Sequence, residues 1–138
     1  MEARLTRAAT AALVLLLATS SWCLAANYRT QHFIVSAADP NVAKTIGDLA
    51  EVYRRDLAID WLGRELPEWS GPCPIRAEVA PHLGAGGATS FMFERGRPFG
   101  WQMSIQGSYE RVLDSVLPHE ITHTIFATHF GQPLPRWA

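Results

Sequence analysis

The sequence is poor in the features that usually fix a reading quickly. Only two of its 138 residues are cysteine. One of them, Cys23, lies in a stretch expected to be removed, and one remaining Cys73 cannot support an internal disulfide framework. There is no charge excess of either sign: 12 Lys and Arg stand against 13 Asp and Glu. That balance excludes a general electrostatic drive toward nucleic acid or anionic membrane. No apolar run reaches the roughly 20 residues a bilayer-spanning helix needs, and stable membrane insertion is not expected. Internal repeats are absent, as are low-complexity tracts beyond the N-terminus. Gly84, Gly86 and Gly87 form a glycine cluster, but it lacks the Lys-Ser/Thr pair that completes a phosphate-binding loop. The cluster reads as a tight loop or hinge beside a cleft.

What is present is a compact globular composition, 48% hydrophobic and 18% charged, sized for one small domain. Arg4 and Arg7 precede an apolar run from Ala8 to Ala18, and Cys23-Leu24-Ala25-Ala26 supplies small residues near a plausible cleavage point. This layout predicts a secretory signal peptide over 1–25 and a secreted or periplasmic domain over 26–138, with an uncleaved anchor as the alternative. Trp22 is too large for the small-residue site that would make Cys23 a lipidation point. Cys73 is then either a buried thiol or a residue whose partner is missing.

In the mature region, Gln31–Ser36 reads as a first strand. Asp39-Pro40 opens a helix that Gly63 closes, with Val42, Ile46, Leu49, Tyr53, Leu57 and Trp61 forming its apolar stripe and Arg54 lying off it. Ile75, Ala77 and Val79 alternate with polar residues, as expected of a strand. Thr89–Phe93 and Trp101–Gln106 read as a hairpin joined by the five residues 94–98. Trp101, Met103 and Ile105 take one face; Gln102, Ser104 and Gln106 take the other, and this polar-faced strand is expected at the sheet edge. The fold class is α+β.

One motif carries chemistry. His119-Glu120-Ile121-Thr122-His123 places two imidazoles one helical turn apart, where both can face one metal ion. Zinc suits such donors. Glu120 would stand beside a water and take its proton as general base. The surrounding residues Val112, Leu113, Val116, Leu117, Ile121, Ile125 and Phe126 predict a strongly apolar helix stopped by Gly131. Pro118 belongs in its first turn, capped by Asp114 or Ser115, or else kinks the helix just before the motif. The competing reading leaves these polar side chains satisfied by hydrogen bonds alone, but two His and a Glu in an apolar helix are costly to bury without a partner. His129 follows His119 by ten residues, a spacing seen for third ligands when a Gly breaks the helix between them. Here Phe126 holds that place. A continuing helix carries His129 about 15 Å along the axis and roughly 80° around it. His129 is therefore only an alternative ligand, and a cap or supporting role is the favoured one.

The run from Leu117 through His123, followed by Pro133-Leu134-Pro135-Arg136-Trp137-Ala138, resembles the gluzincin-type zinc metallopeptidases of the peptidase MA-like group. The resemblance implies a zincin-like mixed sheet packed against an amphipathic helix and the motif helix. It implies His119 and His123 as zinc ligands, Glu120 as catalytic base, and Trp137 as the aromatic before a second helix whose Glu is the third ligand. No carboxylate follows Glu120 in the sequence, so that Glu is expected beyond Ala138 and the chain is expected to be the N-terminal part of such a domain. The resemblance also implies a peptide or protein substrate held in extended form along an edge strand. Trp101, Gln102, Met103 and Ser104 are the candidates for that role, and Thr89–Phe93 is the alternative. A non-catalytic metal-binding or interaction remnant of the same fold is the second functional reading. Oligomeric state is not assigned.

Overall fold

The computed structural model describes residues 25–133. The expected leader, apart from Ala25, and the 134–138 segment with Trp137 lie outside the described residues. Chain order is β1 (Ala26–Arg29), β2 (Phe33–Ala37), α1 (Pro40–Leu62), β3 (Cys73–Val79), β4 (Gly86–Glu94), β5 (Arg97–Gly107), a single turn α2 (Tyr109–Arg111), a π-helical turn (Val112–Val116) and α3 (Leu117–Phe130). The architecture is α+β: five strands form one mixed sheet in the order β1-β2-β3-β5-β4. Strands β2, β3 and β5 run parallel, and the outer pairs β1–β2 and β4–β5 are antiparallel.

Alternation sets the faces. Phe33, Val35, Ile75, Ala77, Trp101, Met103 and Ile105 are buried beneath the helices, while Arg76, Glu78, Gln102, Ser104 and Gln106 are exposed on the opposite face. The helices complete the core with Ile46, Ala50, Val112, Leu117, Ile121 and Ile125.

Helix α1 begins and ends where expected. Asp39 Oδ1 accepts from the amides of Asn41 and Val42, and Gly63 closes the helix with φ 71°. Its buried face differs from the expected stripe. The buried residues are Ala43, Ile46, Gly47, Ala50, Arg54 and Ala58, whereas Val42, Leu49, Tyr53 and Leu57 are half-buried and Trp61 is exposed. Small residues let the helix axis approach the sheet, and the larger ones flank that line of contact. Arg54 can be buried because its guanidinium donates to the Pro67 carbonyl at 2.8 Å and lies 4.4 Å from the Trp69 ring. Burial lowers its pKa from the usual arginine value. Next to it, His32 joins Glu51 on α1 to Glu68 in the α1–β3 connection at 2.7 and 3.1 Å. That connection is thereby held down, and Trp69 Nε1 in turn donates to Thr128 on α3.

The β4–β5 link is shorter than expected. Only Arg95 and Gly96 turn, with φ 51° and 76°, the paired positive values of a two-residue hairpin. Glu94 and Arg97 are already paired in the ladder, and Pro98 sits opposite Phe93.

Before the motif, helical backbone starts at Tyr109, and the Leu117 amide reaches back to the Val112 carbonyl. Proline at 118 has no N–H to give the Asp114 carbonyl, and its ring crowds that group. The wider π turn takes up the mismatch. Pro118 does fall in the first turn of α3, but neither Asp114 nor Ser115 caps it; the π turn runs directly into the helix there.

Helix α3 ends at Gly131 with φ 64°, where an added Cβ would lie 2.5 Å from the Gly96 carbonyl oxygen of the hairpin turn. Gly131→Ala should therefore cost about 2–3 kcal/mol, from left-handed strain and a backbone clash together. Gly63→Ala carries similar strain, but nothing lies within 4 Å of its added Cβ, and about 1 kcal/mol is expected. Paired thermal melts followed by circular dichroism check the difference.

Candidate metal centre

Four residues apart on α3, His119 and His123 project in the same direction because the helix continues unbroken through them. Their Nε2 atoms are 3.1 Å apart and their ring planes stand at 84°. Both rings keep access to solvent. Glu120 points elsewhere, about 100° around the helix, and is only 4% exposed. Its Oε2 accepts a hydrogen bond from Thr89 Oγ1 on β4 at 2.5 Å. Its carboxylate passes so close over Gly87 that a Cβ there would lie 2.6 Å from Oε1. Donor atoms of His119, Glu120 and His123 all lie within 4.8 Å of one another, and the group can hold a metal ion.

The donor spacing fits such an ion. Two imidazole nitrogens bound about 2.0–2.1 Å from one tetrahedral ion stand roughly 3.3 Å apart, close to the 3.1 Å found here. Without an ion, the two Nε2 atoms can bond only if one ring carries its proton there and the other does not.

The rest of α3 is well anchored. Ile121 and Ile125 are buried completely, Thr124 and Thr128 hydroxyls donate to carbonyls of the preceding turn, and Trp69 ties Thr128 to the α1–β3 connection. The paired imidazoles therefore stand on a fixed element.

His129 lies on the same unbroken helix, exposed, with its ring 4.8 Å from that of Phe130. It is not among the three residues brought together. Cys73 is fully buried and, among the described residues, free; burial pushes its thiol up to about 12. A thiol so held is inert at neutral pH.

Trp101, Gln102, Met103 and Ser104 do not occupy an edge. Strand β5 is hydrogen-bonded to β3 on one side and β4 on the other. Trp101 and Met103 are core residues, and Gln102 and Ser104 face outward on the side of the sheet away from the helices. Alternation reported a solvated face, which is a different property from an unpaired backbone. Among the described residues, the outer strand beside α3 is β4, the alternative strand. Thr89 and Gly87 are the two contacts with Glu120 that pattern reading missed. Nothing local marks them, because a Thr in a strand and a Gly in a cluster have ordinary structural uses. Gly86 and Gly87 open β4 opposite Gln106 and Ile105 rather than forming a loop.

Comparison with protein-family models, with curated protein sequences and with solved structures finds no match to this chain.

Proposed function

We propose that this protein is a zinc-dependent peptide hydrolase in which His119 and His123 hold the ion and Glu120 is the general base. The observation that carries the reading is the meeting of two Nε2 atoms at 3.1 Å beside a buried carboxylate. When bound, zinc supplies Lewis acidity, making water more acidic and polarising a carbonyl. Glu120 accepts a proton from the attacking water and returns it to the leaving amine. Its burial against Thr89 and Gly87 keeps the carboxylate in one place next to the two imidazoles. Among the described residues β4 is the outer strand of the sheet beside α3, and this edge supports a peptide substrate in particular. Its unpaired backbone groups can take an extended chain as an added strand, which would run past Glu120.

The test is hydrolysis of internally quenched peptides by the purified protein, with and without prior dialysis against a chelator. Cleavage that disappears on chelation and returns with about one equivalent of zinc is expected. Cleavage that survives metal removal would contradict the proposal. Retained zinc without any cleavage would favour a metal-binding module on the same scaffold.

A further inference from the structure

We propose that Thr89, with Gly87 beside it, is the positioning residue that holds Glu120 against β4 next to the two imidazoles. The inference rests on the reading of Glu120 as a base and adds what fixes its orientation.

A glutamate has three rotatable side-chain bonds, and helix α3 constrains only where they begin. At 4% exposure Glu120 has little water to orient it. Among the described side-chain hydrogen bonds, the Thr89 hydroxyl is its one donor. Thr89 is half-buried on the helix-facing side of β4, in register with Met103. Its hydroxyl proton goes to Oε2. Two residues earlier on the same strand face, Gly87 leaves open the space that Oε1, Cγ and Cδ of Glu120 fill, since a Cβ there would lie 2.6, 2.8 and 2.9 Å from them. One donor and one missing side chain therefore select a single placement. With one oxygen committed to Thr89, the other is left to exchange a proton. Reaction geometry is steep in such placement: a shift of about 1 Å can cost about 100-fold in rate.

Thr89→Val removes the hydroxyl and nearly preserves shape and strand preference; Thr89→Ser restores the hydroxyl without the methyl. Thr89→Val should lower kcat about tenfold or more while KM stays within about twofold, the signature of an interaction that serves the chemical step. Zinc affinity by calorimetric titration should stay within about threefold, because neither imidazole is touched. Thr89→Ser should recover most of kcat. A readout independent of activity is the melting temperature in two backgrounds. Thr89→Val should lower it by roughly 3 °C in the wild-type chain and by less than about 1 °C in Glu120→Ala, where the acceptor is gone. Wild-type turnover in Thr89→Val, a Thr89→Ser variant no better than Thr89→Val, or equal losses of melting temperature in both backgrounds would overturn the assignment. If the wild-type chain binds no zinc or cleaves no peptide, the hydrolase reading has failed. The melting-temperature pair then decides by itself whether Thr89 holds Glu120.

Discussion

Replacing Glu120 with Gln should leave one zinc bound per chain and lower peptide hydrolysis by about 10²–10⁴-fold, the usual worth of a positioned general base. Gln is nearly isosteric with Glu and still offers an oxygen to the Thr89 hydroxyl, so the side chain can keep its place over Gly87. What it lacks is any capacity to accept a proton at neutral pH. The loss should fall on kcat with little change in KM, since the base acts only in the transition state. Metal content by elemental analysis and kinetics on the same preparation separate the two properties. Loss of zinc together with activity would place Glu120 among the ligands instead. Activity retained within a few fold would remove it from the mechanism.

Replacing His123 with Ala should weaken zinc binding by at least about 100-fold, more than the 10–100-fold typical when only a residue supporting a ligand is lost. The change should cost little stability in the metal-free chain, because the His123 ring is not part of the buried core. His119→Ala should behave the same way, since the two rings contribute equivalent nitrogens. His129→Ala serves as the internal control: it lies on the same helix, also exposed, and outside the group, and its zinc affinity should match wild type. Direct titration against a competing chromophoric chelator measures all four proteins on one scale. Equal weakening by all three substitutions would indicate nonspecific surface histidine binding.

The motif helix and α1 were legible in the sequence because both carry local punctuation. Asp39-Pro40 and Gly63 bound one, Gly131 ends the other, and each device acts through its immediate neighbours. The histidine pair was legible for the same reason, since spacing along one helix is enough to bring His119 and His123 together. What was hidden depends on tertiary partners. Arg54 reads as a surface residue until the Pro67 carbonyl and the Trp69 ring are brought to it. The edge of the sheet is a property of strand order, and β5 shows the same alternation whether or not β3 pairs with it. Thr89 and Gly87 are 31 and 33 residues from Glu120 in the chain, and only the sheet brings them together.

Anomalous diffraction at the zinc edge, from crystals grown with stoichiometric zinc, tests the His119–His123 site most directly. One strong peak is expected between the Nε2 atoms of His119 and His123, about 2.0–2.1 Å from each. A zinc peak elsewhere, or none at this position with the two imidazoles still facing one another, would contradict it.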